Sequence, residues 1–171
     1  MRNQFGSVLI ALVMGCLPVQ MMVCEDGWAQ SVSDRKVEAD KLDELALQQY
    51  AKGQLTEYLN TLQQVLIIRK EIKDRFSEGT TLNYIGSVYE KLGQYPKALE
   101  YLQQALEIAK AVGDLAGEGR SLNNIGGVYE RLGQYPKALE YYQQSLAIRK
   151  KIGDLAGEGR TLNNIGLESS N

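Results

Sequence analysis

Three kinds of stretch in this chain carry residue types that could do chemistry. "GDLAGEGRS" at 113–121 has the glycines and the cation of a phosphate-cradling loop. Such a loop needs glycines so that backbone N–H groups can approach phosphate oxygens, a lysine to neutralise them, and a strand before it. Here Asp114 stands where the first glycine belongs, Arg120 replaces the lysine, and no strand-like run precedes it. The string returns as "GDLAGEGRT" at 153–161, so a turn between repeated units accounts for it better than a nucleotide does. Paired acids such as Glu90 and Glu100 would form an acid–base couple only if neighbours split their pKa values; they read instead as solvated helix faces. "IRKEIKD" at 68–74 and "IRKKIGD" at 148–154 look like basic patches, but cations at a helix end suit its dipole. There is no histidine, which removes the commonest general base and metal ligand. No catalytic constellation, metal site or cofactor is expected, and the chain reads as a non-enzyme.

Charge gives little direction. The 19 Lys and Arg residues are interspersed with 21 Asp and Glu for a net −2, which predicts neither nucleic acid nor an anionic membrane as partner. The N-terminus has a different character. Arg2 precedes an apolar stretch whose heart, Val8 to Leu17, spans about ten residues. That suits a signal-peptide core and falls short of the roughly twenty residues of a bilayer span. Gly27 and Ala29 supply small residues at the −3 and −1 positions of a peptidase site. Residues 1–29 are therefore expected to be a signal peptide cut after Ala29, giving a periplasmic or secreted chain with no membrane contact once processed. An uncleaved membrane anchor is the alternative, and "VMGC" leaves open an acylated Cys16. Cys16, Cys24 and Trp28 all lie upstream of the cut, so the mature chain would hold together by packing alone.

Residues 30–38 are polar and expected to be a flexible linker. Beyond them self-similarity dominates: 78–117 and 118–157 are identical at 29 of 40 positions, and 39–77 aligns more weakly in the same frame. A period near forty without strand signals predicts an all-α array whose units bury their faces against each other. Within a unit, Leu122, Ile125, Val128, Tyr129 and Leu132 recur at three- and four-residue steps, the stripe of an amphipathic helix. Gly133 offers a helix-closing left-handed position, and Pro136 falls in the first turn of a second helix. Gly153 stops that helix and Asp154 can cap the next.

These residues resemble the tetratricopeptide repeat, in the forty-residue form seen in kinesin light chains and many bacterial arrays. Gly86 and Gly126 match the family's small first-helix residue, Leu82, Ile85 and Tyr89 its large apolar positions, and Ala98 and Ala138 its second-helix alanine. The first unit departs from the pattern, with Gln49 for the tyrosine and Tyr58 for the alanine. The resemblance implies an α-solenoid of antiparallel helix pairs, with units 39–77, 78–117 and 118–157 and a partial unit 158–166. The tail 167–171 is expected to fray.

Steps of four, three and four residues put Arg120, Asn124, Gly127 and Arg131 on one stripe of a first helix. The equivalents are Thr80, Tyr84, Ser87 and Lys91 before it, and Arg160, Asn164 and Leu167 after it. By resemblance this stripe lines a concave groove, where Asn124 and Asn164 would hold a bound peptide's backbone. The other reading of these asparagines is a bond to a neighbouring helix or water. Lys91, Arg120, Arg131 and Arg160 would favour an acidic or C-terminal peptide. The resulting expectation is a non-catalytic module that binds a protein or peptide, with self-association through the array ends. The alternative is a remnant or regulatory region of a larger protease- or signalling-linked protein.

Overall fold

The computed structural model describes the backbone of residues 17–168 and the side chains of 31–166. Seven helices follow one another among the described residues, with no strand: α1 (Leu17–Ala51), α2 (Leu55–Glu71), α3 (Arg75–Lys91), α4 (Tyr95–Val112), α5 (Leu115–Arg131), α6 (Tyr135–Ile152) and α7 (Leu155–Glu168). The chain divides into two compact units, 1–38 and 39–171, and the second holds the repeats. Residues 31–38 are helical, not the flexible linker expected from their polarity; they are part of α1. Most of the proposed signal-peptide core and the last three residues lie outside the described residues. Among those described, no helix is long and apolar enough to cross a membrane.

Each turn between helices is built from local chemistry. Gly93, Gly113, Gly133 and Gly153 take φ near +70°, a conformation that costs a side chain dearly and glycine little. At Gly113 the chain reverses, Asp114 N–H donates back to Ala109 O at 2.9 Å, and the Asp114 carboxylate caps α5 by accepting from Gly117 N–H at 2.9 Å. Asp154 repeats this cap on Gly157 at 2.9 Å. The loop-like "GDLAGEGR" strings are therefore turns and helix starts. Lys73 fills the equivalent turn position at φ 58°, in a region where L residues are strained.

Close approach inside a pair depends on two glycines. A Cβ on Gly86 would lie 2.6 Å from Leu102 Cγ, and one on Gly126 would lie 2.7 Å from the ring of Tyr142. Leu82, Ile85, Val88, Leu102, Ile125, Val128 and Tyr142 fill the core. Tyrosines stack along the pairs, Tyr89 on Tyr101 at 5.3 Å and Tyr129 on Tyr141 at 5.4 Å. In the first unit the same two places hold Gln49 and Thr61, which share a 2.8 Å hydrogen bond.

The partial unit docks as α7. Thr161 is fully buried, but Leu162 is 47% exposed where Leu82 and Leu122 are sealed, since among the described residues no helix follows α7 to cover it. The helix also continues through Leu167 and Glu168, two residues past the expected fraying point. Leucine and glutamate are good helix formers, and no breaker follows Gly166 directly.

Candidate functional site

The expected stripe lies on α3, α5 and α7, and its residues have separate fates. Asn124 donates to Asn83 Oδ1 at 2.7 Å and to Ser87 Oγ at 3.1 Å, and Asn164 donates to Asn123 Oδ1 at 3.3 Å. Asn83 in turn donates to Ser121 Oγ at 2.6 Å, and Thr161 donates to Asn123 Oδ1 at 3.0 Å. These bonds form a ladder between successive first helices, fixing their register through one buried amide, Asn83, and the half-buried Asn123, Asn124 and Asn164. The neighbouring-helix reading of Asn124 thus has its geometry. Asn83 and Asn123, one residue off the expected stripe, are the members that sequence reasoning missed.

The cations divide likewise. Lys91 donates to the Tyr50 hydroxyl at 2.7 Å with its ammonium 4.6 Å from that ring's centre. Arg131 lies 3.7 Å from Glu90. Burial pushes the Glu90 carboxyl above its usual range while Arg131 opposes the shift, so Glu90 is not the freely solvated acid expected. Arg120 and Arg160 form no ion pair among the described residues.

Two kinds of depression follow from these positions. Leu47, Tyr50, Tyr58, Tyr84, Ser87, Val88 and Lys91 enclose about 320 Å³. An adjoining hollow of about 280 Å³ shares Leu47, Tyr58 and Tyr84 and adds Phe76 and Leu62. Leu47, Phe76 and Tyr84 are 67%, 58% and 45% exposed, unusual for side chains that nothing covers. Forty residues on, their places are taken by Ser87, Ala116 and Asn124, and the hollow there, about 250 Å³, is lined by Asn123, Asn124, Gly127, Glu130, Arg131 and Asn164. The stripe is therefore aromatic in its first half and polar in its second. Tyr84, on the expected stripe at the place of Asn124, anchors the aromatic half; Leu47, Tyr50 and Phe76 were not on that stripe.

The two basic runs also differ from expectation. Arg69 and Arg149 are only 5% exposed, inside the array and not at solvated helix ends. Arg69 pairs with Asp40, Asp43 and Asp74 at 2.6, 3.0 and 3.3 Å. Arg149 pairs with Asp154 at 2.6 Å. Among the described residues, no cluster of His, Cys, Asp or Glu could hold a metal ion.

The tetratricopeptide repeat family model matches residues 38–111 and 117–167. Among solved structures, the chain is similar to a STAND signal-transduction ATPase with a tetratricopeptide repeat sensor from Pyrococcus horikoshii, at 29% identity and TM-score 0.66 over 70% of this chain and 19% of that one. It is similar to BtubC (BKLC) from P. vanneervenii at 18% identity and TM-score 0.68, over 82% and 62% of the two chains. It is also similar to the TPR domain of Arabidopsis FLU at 20% and 0.64, over 68% and 98%. The last two likenesses show the fold alone, and the chain spans less than two thirds of the first two proteins. A search of curated proteins found no match. The repeats are those of a protein-interaction module, and the chain belongs to the tetratricopeptide repeat family.

Proposed function

We propose that this chain is an exported, non-catalytic module that holds an extended peptide or a protein surface along the stripe of its first helices. The carrying observation is the exposed aromatic hollow of Leu47, Tyr50, Phe76 and Tyr84, continued by a polar hollow one repeat on. Apolar concavities with a few polar groups at their rim bind by burying side chains and orienting the backbone. An occupant would seat one or two apolar side chains against Tyr58 and Tyr84, with Lys91 beside them. Its backbone would run on past Asn124, whose amide nitrogen is engaged but whose Oδ1 has no partner among the described residues. The exposed Leu155 and Leu162 on α7 add a surface for self-association.

Panning a random-peptide display library on the full chain tests this. Recovered peptides should carry hydrophobic residues, and Tyr84→Ala or Leu47→Ser should abolish their binding without loss of helical signal. Peptides that bind both variants as well as the parent would rule the hollow out. Export is read by N-terminal sequencing of extracytoplasmic material, with Gln30 expected first and Trp28 absent; retention of Trp28 would favour the anchor. A second reading, a sensing or regulatory region of a larger signalling protein, is favoured by the 29% identity to the sensor-bearing ATPase.

A further inference from the structure

Arg69 and Arg149 occupy the same place in the first and third units, yet the charges around them are opposite. Arg69 Nη2 is met by Asp40 Oδ1 at 2.6 Å and Asp43 Oδ2 at 3.0 Å, and Nη1 by Asp74 at 3.3 Å. Eighty residues on, those three places hold Arg120, Asn123 and Asp154. One cation among three carboxylates has become a cluster of three cations, Arg120, Arg149 and Arg160, with one carboxylate, Asp154. In the middle unit Ala109 stands at this place, so the charge is not a general feature of the repeat.

The Arg149 guanidinium is rigidly held. Its Nε donates to Ser145 Oγ at 3.1 Å, and that hydroxyl donates to Gly119 O at 2.7 Å. Nη1 donates to Asp154 at 2.6 Å across Gly157, where a Cβ would collide with it. Nη2, the nitrogen that holds two carboxylates in Arg69, has no partner among the described residues. It is not sealed either, because Arg69 Nε is the one fully buried, unsatisfied side-chain atom there. The amide that replaces Asp43 cannot serve Nη2, since Asn123 Oδ1 already accepts from Thr161 and Asn164. Burial lowers the Arg149 guanidinium below its ordinary value, Asp154 opposes this, and Arg160 and Arg120 lower it further.

We infer that Arg120, Arg149 and Arg160 form a subsite for a carboxylate of the bound partner, filling the place that Asp40 and Asp43 fill around Arg69. The partner is accordingly an acidic peptide segment whose carboxylate bonds Nη2 between the two flanking arginines. Charge-assisted bonds to a planar guanidinium supply both affinity and direction. The subsite adjoins the polar hollow through Ser145, Thr161 and Asn123, so this assignment rests on the peptide-binding reading above.

A capped tetra-aspartate peptide, titrated into the isotope-labelled full chain, tests it through the Arg149 Nε–H resonance. That signal should shift saturably, and the partly exposed double change Arg120→Gln and Arg160→Gln should weaken binding about ten-fold. Lys150→Gln, on an exposed cation, should leave it unchanged. A resonance that moves no more than with sodium chloride at equal ionic strength would overturn the subsite. So would a double variant that binds as the parent does. Inorganic phosphate binding more tightly than the peptide would overturn the carboxylate assignment. Tyr84→Ala should leave tetra-aspartate binding intact. Display-selected peptides that bind Tyr84→Ala as they bind the parent, with the acidic probe still bound, therefore sink the groove, whereas a parent chain that holds display-selected peptides but not the acidic probe sinks the subsite alone.

Discussion

The ring of Tyr142 lies on Gly126 so closely that a Cβ there would stand 2.7 Å from both Cδ1 and Cε1. Gly126→Leu should therefore destabilise the array by about 1–3 kcal/mol or more, because the ring is locked between helices and cannot yield. Gly166, the same place in the partial unit, would have a Cβ with nothing within 4 Å. Gly166→Ala should instead gain about 0.5–1 kcal/mol from helix propensity. Paired thermal melts of the two variants check the contrast.

Lys73 holds a turn conformation that glycine holds at Gly113 and Gly153. Lys73→Gly should raise stability by about 1 kcal/mol, the strain of a left-handed L residue less the entropy that glycine loses. Urea denaturation with an unchanged slope would confirm that only stability moved.

Asn83 is 2% exposed and bonds both Ser121 and Asn124. Asn83→Ala leaves a buried hydroxyl without its donor and should cost about 1–3 kcal/mol. A double-mutant cycle with Asn124→Ala should show positive coupling. Zero coupling would mean that the ladder contributes little to register.

These contrasts mark what the sequence made legible. Turn glycines, Asp114, Asp154 and the Gly86 and Gly126 contacts were readable because their chemistry is local or repeats in phase. Arg69 and Arg149 were not. Each sits in a run of cations whose neighbours suggest a solvated end, and their burial is set by residues such as Asp40 on other helices. The asparagine pairing was half-legible: a mid-helix asparagine asks for a partner, but only packing shows that Asn83 serves Asn124. Of the aromatic hollow, Tyr84, Ser87 and Lys91 lay on the expected stripe, whereas Leu47 and Tyr50 escaped because the first unit matches the repeat only weakly.

Burial pushes the Tyr58 phenol up to about 12, with Tyr84, Tyr50 and Asp43 adding in that order. An unfolded tyrosine ionises near 10, so the folded state binds this proton more tightly. Its contribution to stability is complete below about pH 10 and disappears as pH rises toward about 12. Tyr58→Phe should therefore flatten the fall in melting temperature across that window. Phenolate absorbance should show one tyrosine fewer titrating late.

The asparagine ladder also sets how the array comes together in time. The side-chain hydrogen bonds of the ladder, and that of Lys91 to Tyr50, reach at most 41 residues along the chain. Each repeat unit therefore has only its neighbouring units to wait for, and order can start at any pair and spread in either direction, as in a one-dimensional lattice. The best-matched nucleus is the middle, where α3 to α6 carry both glycine contacts and both stacked tyrosine pairs. Unravelling should begin at α7, whose Leu162 is half uncovered, and travel inward one hairpin at a time.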